Sequence, residues 1–93
     1  MPEGKTYQWN PEKNIQLQQE RGISFEIVSQ IILQGRALDT IDHPNQEKYP
    51  FQKMFVLEID NYIYLVPFVE SSNIIFLKTI IPSRKMKKKY LGD

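Results

Sequence analysis

Two apolar runs that meet at an Asp-Asn pair limit the folds open to this chain more than any other feature. Lys53 to Ile59 and Tyr62 to Val69 are rich in aromatic and β-branched side chains. The two residues between them, Asp60-Asn61, tolerate the positive φ angles of a two-residue hairpin turn. A strand, a tight turn and an antiparallel strand are predicted here. Glu70-Ser71-Ser72-Asn73 makes another turn into the apolar run Ile74 to Ile81. The second half therefore reads as a three-stranded antiparallel meander, closed by Pro82 because proline cannot donate to a ladder.

The first half has a helical period. Tyr7-Gln8-Trp9 reads as a short strand entering Asn10-Pro11, where Asn suits an N-cap and Pro the first helical position. The helix that starts there is expected to run to Glu20 or Arg21 and stop at Gly22, with only Ile15 and Leu17 as its apolar face. Ser24 caps a second helix with Glu26 near the positive end of its dipole, and Phe25, Val28, Ile31 and Ile32 recur at helical spacing up to the stop at Gly35. Arg36 to Ile41 looks like a short strand and Asp42 to Pro50 like a polar loop. Trp9 and Phe25, each beside a structural start signal, belong to the core. After Pro82, Ser83 caps a short helix whose Met86 and Tyr90, four apart, face inward. The fold class is α+β: one domain over residues 1–93, two N-terminal helices packed on a small antiparallel sheet, and a short basic C-terminal helix.

Ninety-three residues suffice for a single core. The chain has no cysteine, so it has neither a disulfide framework nor a thiolate zinc site, and its one histidine, His43, leaves a transition metal short of ligands. No metal and no cofactor are expected. Nucleotide-binding glycine loops, serine–histidine–acid sets and cysteine nucleophiles are also missing from the sequence. Met1-Pro2-Glu3-Gly4-Lys5 lacks the apolar stretch of a leader, and the apolar runs are far below bilayer-spanning length, so a cytoplasmic location away from membranes is expected. The near-neutral total charge hides an asymmetry. Six of the twelve basic residues fall in the last sixteen positions, giving that tail a net of +5 against −4 for the rest. Such a tail is either a solvated helix face or a surface for a polyanion, since positioned cations neutralise phosphates and release counterions.

Several words of this sequence resemble the BrnT family, the small toxins of bacterial toxin–antitoxin pairs with a RelE-like ribonuclease fold. Tyr7-Gln8-Trp9-Asn10-Pro11-Glu12-Lys13 is similar to the family's aromatic-x-Trp-Asp-Pro-x-Lys, and Gly22-Ile23-Ser24-Phe25-Glu26 to its Gly-Val-Ser-Phe-Glu. The likeness extends through Asp42-His43, Lys53, Glu70 and the closing Ser83-Arg84-Lys85 with Tyr90. Departures occur at Leu17, where the family has Asn, at Glu20-Arg21, where it has Lys-His, at Leu57-Glu58-Ile59, where it commonly has Ile-Gly, and at Pro67-Phe68. The resemblance implies a metal-independent endoribonuclease that inhibits translation. It also implies a ribbon-helix-helix antitoxin of the BrnA kind as partner, with operator DNA reached only through the complex. A divergent branch that binds the antitoxin without cleaving RNA is the alternative.

Such a ribonuclease needs a base for the ribose 2′-OH, an acid for the leaving 5′-oxygen, cations on the phosphate and a stacking surface for a base. Arg84 is the first choice for the phosphate because guanidinium offers a bidentate fork, with Lys53 and Arg36 next and Lys85, Lys87, Lys88 and Lys89 as further RNA contacts. Glu58, His43 and Tyr64 are the acid–base candidates. Glu58 is either buried with a lifted pKa or solvent-facing by strand alternation, and His43 is either functional or an ordinary turn residue. Tyr62 and Tyr64 lie two apart on one strand face, as a shelf for a base or as a packed cluster.

Overall fold

The computed structural model describes residues 5–92 as β1 (Thr6–Gln8), α1 (Pro11–Arg21), α2 (Phe25–Leu33), β2 (Asp39–Asp42), β3 (Lys53–Ile59), β4 (Tyr62–Ser71), β5 (Ile74–Leu77), β6 (Ile81–Pro82) and α3 (Arg84–Leu91). Met1 to Gly4, read above for a leader, lies outside the described residues. Asp60 and Asn61 take φ of 52° and 63°, the left-handed values that let two residues reverse the chain without splaying the strands. They set Ile59 opposite Tyr62, and the register then runs unbroken to Lys53 opposite Phe68.

The helices begin and end where their cap chemistry dictates. The Asn10 side chain accepts the Glu12 and Lys13 N–H groups (2.8 and 3.1 Å), and Ser24 Oγ accepts from Ile27 (3.2 Å). Gly22 closes α1 in the left-handed conformation. At the end of α2 the Gly35 N–H bonds the Ile32 carbonyl and the Arg36 N–H the Ile31 carbonyl (both 3.0 Å), a Schellman closure. That closure uses Arg36, so the strand expected from Arg36 begins only at Asp39.

The fold is α+β, with three helices and a mixed sheet in the order β1-β5-β4-β3-β2, β6 also lying on β4. The sheet is not wholly antiparallel: β1 runs parallel to β5, Tyr7 opposite Ile75. A hairpin forces antiparallel pairing on sequence neighbours, but these two strands are separated by most of the chain, and their relative direction is set by the crossovers between them.

Both faces of the sheet are covered. On the first face, Phe55, Leu57, Val66, Phe68, Ile75 and Leu77 form the main core with Leu17, Phe25, Val28 and Ile31 of the N-terminal helices. Four consecutive residues of β3, Met54 to Leu57, are buried, the mark of a strand enclosed on two sides. The second face is capped by α3, which packs on β4. Its far end is tied to the edge strand β2: the Tyr90 hydroxyl donates to Asp39 Oδ2 (3.0 Å), while Asp39 Oδ1 accepts the Thr40 N–H (2.8 Å). Burial and the Asp39 carboxylate raise the Tyr90 pKa, which keeps that hydroxyl a donor.

The apolar run from Ile74 does not form one regular strand. Phe68 faces Leu77 and Leu65 faces Ile81, so three steps of β4 match four of the returning chain, a β-bulge at Lys78–Ile80. The extra residue lets Ile80 enter the first-face core while Ile81 turns to the second face.

Asn14 joins α1 to α2. It is only 6% exposed, its Oδ1 accepts the buried Phe25 N–H (2.8 Å), and its Nδ2 donates to Glu26 Oε1 (2.8 Å). The Asn14 bond first, then local backbone N–H groups, hold the Glu26 carboxyl below its usual pKa, so this link is intact above the ordinary carboxylate range and is lost as pH falls through the lowered value. Asn14→Ala orphans the Phe25 N–H and is expected to cost about 1 to 3 kcal/mol. Urea denaturation checks this, and a change within error would mean that the bond contributes nothing net.

Candidate nucleic-acid interface

Strand register sorts the candidate residues onto two surfaces. Lys53 precedes Phe55 by two and shares its face, so it lies on the side of α1 and α2. There it borders a 240 Å³ cavity with Tyr7, Ile32, Leu33, Thr40, Phe68 and Glu70. Desolvation chiefly, and the Glu70 charge secondarily, raise the Tyr7 pKa in that cavity. Tyr62 and Tyr64 belong to the same face by register. They lie 5.7 Å apart and tilted, and Tyr64 packs against the main core. Arg36 is exposed beyond the end of α2.

The second face carries the rest. Its cross-strand rows can be followed from one end of the sheet to the other. Glu58 faces Ile63, whose carbonyl accepts the Ser83 N–H (2.9 Å); the next row is Asp39, Val56, Leu65 and Ile81. Beyond that come Ile41, Met54 and Pro67, the last accepting from the Lys78 N–H (2.8 Å), and finally His43 and Gln52, bonded N–H to carbonyl (3.0 Å).

The first two of these rows carry α3. Ser83 caps it through Met86 (3.2 Å), Met86, Lys87 and Tyr90 are half-buried, and Arg84, Lys85, Lys88 and Lys89 point to solvent. Lys87 Nζ lies 5.5 Å over the Tyr62 ring, a cation–π contact that brings the tyrosine pair to the same end of the sheet as the helix. Arg84 and Lys85 occupy a first turn with no acidic residue, against the dipole, whereas Lys88 and Lys89 in the last turn complement it.

The four residues selected for catalysis do not converge. Lys53 is on the other face. Glu58 and His43 share a face but stand at opposite ends of β3, six residues or roughly 20 Å apart at strand rise. Arg84 follows Ser83 in the Glu58 row, two strand spacings or about 10 Å across, within reach of two long side chains. Glu58 is solvent-exposed, the second of the two possibilities left by its strand.

His43 is not an isolated turn residue. Its ring lies 4.4 Å from that of Tyr49, and the two rings line a 170 Å³ cavity with Gln52, Pro67, Lys78, Thr79 and Ile81. Tyr49, Gln52, Lys78 and Thr79 are absent from the sequence-based selection. Lys78 and Thr79 sit in the bulge, which no local pattern announces, and Tyr49 lies in a polar loop where period carries no signal. Among the described residues, no group of three or more His, Asp or Glu side chains is placed to hold a metal ion, and no helix is long and apolar enough to cross a membrane.

Comparison of the chain with models of protein families, with curated proteins and with solved structures gives no match.

Proposed function

We propose that this chain is a BrnT-type toxin of RelE-like fold, a metal-independent endoribonuclease that holds single-stranded RNA on the α3 face of its sheet. The observation that carries the reading is the outward row of Arg84, Lys85, Lys88 and Lys89 on a helix fixed at both ends, by Ser83 on the Ile63 carbonyl and by Tyr90 on Asp39. A merely solvated tail needs no such anchorage. Phosphates over the first turn would also offset the unfavourable placement of Arg84 and Lys85 on the dipole.

Arg84 is the phosphate ligand and Glu58, in the adjoining row, the proton acceptor. The ribose 2′-oxygen bonds to phosphorus, the 5′-oxygen leaves, and the 2′-OH proton passes through the Glu58 carboxylate to the leaving oxygen. A ribbon-helix-helix antitoxin as partner, contact with operator DNA only through that complex, and a cytoplasmic site of action belong to the same proposal. The dispersal of Lys53, Glu58 and His43 favours a second reading, an interaction module that binds its antitoxin without cleaving RNA.

The purified chain is expected to cleave RNA in EDTA and leave 2′,3′-cyclic phosphate ends. Arg84→Ala is expected to slow cleavage about 10²-fold, the loss typical of one transition-state donor. Cleavage that a chelator abolishes, or an Arg84→Ala protein of full activity, sinks the assignment. An inert chain that still binds the antitoxin tightly establishes the second reading.

A further inference from the structure

The geometry points to a nucleobase subsite in the cavity between the His43–Tyr49 ring pair and the Lys78–Thr79 bulge, with His43 serving in recognition rather than in proton transfer. The inference rests on the RNA reading of the α3 face and names a feature of the substrate, an unpaired base held the roughly 20 Å from the reacting phosphate that separates the His43 row from the Glu58 row.

Size and lining agree. At 170 Å³ the cavity is below the roughly 300 Å³ at which sites for whole small molecules begin, yet it equals about five or six water volumes, room for one flat ring. Two aromatic rings form one wall, 4.4 Å apart at 37°, and Pro67 and Ile81 supply apolar surface. Among the lining residues, His43, Tyr49, Gln52, Lys78 and Thr79 carry polar groups. His43 Nδ1 accepts the Asn45 N–H (3.1 Å), so the neutral ring carries its proton on Nε2, a donor for a base edge.

The site is built in advance. The Gln46 side chain donates to the His43 and Gln52 carbonyls (2.7 and 3.2 Å), the Tyr49 N–H bonds the Asn45 carbonyl (2.9 Å), and the His43 N–H bonds the Gln52 carbonyl (3.0 Å), closing the loop on itself. The bulge opposite bends its strand where Lys78 and Thr79 meet the cavity, a use to which bulges beside functional sites are put.

A cation stands at one of the rings: Lys48 Nζ lies 5.4 Å over Tyr49, a charge for a phosphate flanking a base in the cavity. Lys78, whose residue lines the cavity, holds its Nζ 5.6 Å over Phe76, outside the lining. The sheet rows connect this place to α3 on the same face, His43 lying three rows or roughly 20 Å from Glu58. A polyanion crossing from α3 meets the cavity. Cations at both ends of the path favour a nucleic acid over an apolar peptide.

The test uses the full chain and two probes, a fluorescein-labelled six-nucleotide single-stranded RNA and the same strand with its bases removed. The wild type is expected to bind the base-containing strand about tenfold or more tightly than the abasic one, the range for stacking a base on an aromatic side chain. Tyr49→Ala and His43→Ala should erase that preference, retain the salt dependence contributed by α3, and raise KM for cleavage with kcat kept. Thr79→Trp, which fills the cavity and leaves both rings in place, should do the same, so a poorly folded ring variant does not decide the matter. Equal affinity of the wild type for the two strands overturns the subsite and leaves the RNA reading standing. A preference that survives all three substitutions, or a fall in kcat at unchanged KM in His43→Ala, also overturns it. Absence of salt-dependent binding to either strand removes both.

Discussion

Phe25→Ala is expected to lower the stability of this protein by about 3 to 5 kcal/mol, the cost of deleting a buried aromatic ring. The side chain is 0% exposed and its ring stacks on Trp9 at 5.6 Å, at the point where α2 enters the main core. Its backbone N–H remains bonded to Asn14, so the substitution isolates packing from hydrogen bonding. Small domains hold only about 5 to 15 kcal/mol in all, so most of the variant population should be unfolded at modest urea or at body temperature. A shift of less than about 1 kcal/mol in urea denaturation would show that α2 is not seated on the sheet as described.

Neutralising Lys85, Lys88 and Lys89 together to glutamine, with Arg84 and Lys87 kept, is expected to weaken single-stranded RNA binding about 10²-fold near 0.1 M salt. Each lost phosphate contact removes roughly 0.7 from the slope of log affinity against log salt, about 2 for the set. All three side chains are exposed, so stability should change little. Antitoxin affinity should fall less, through association rate, if lysines form only the rim of that interface. Unchanged RNA binding with a large rise in antitoxin dissociation rate would transfer the basic helix from substrate to partner and favour the interaction-module reading.

Much of the architecture is legible in the chain because it depends on neighbours. Asn10, Ser24 and Ser83 cap the three helices expected after them, Gly22 and Gly35 end two of them, and Asp60-Asn61 turns the hairpin, each through a backbone group a few residues away. Even the separation of Lys53 from Glu58 follows from alternation along one strand, although each residue's chemistry taken singly suggests one site. Asn14 was not legible. A polar residue on a thin apolar helix face looks solvated until a second helix places the Phe25 N–H and Glu26 against it.

The sequence by itself determined the α+β class, the bounds of most elements, the buried stripe of α2 and the basic character of the last helix. Caps, turns and periodicity act over one to ten residues, a range in which chain connectivity alone sets who meets whom. Tertiary structure decided the parallel pairing of β1 with β5, the bulge that turns Ile80 inward and Ile81 outward, and the placing of His43 beside Tyr49, Lys78 and Thr79. Those outcomes depend on strands and loops far apart in the chain competing to bury the same apolar surface. A register shift of one residue there exchanges which side chains are covered and which remain to meet a ligand.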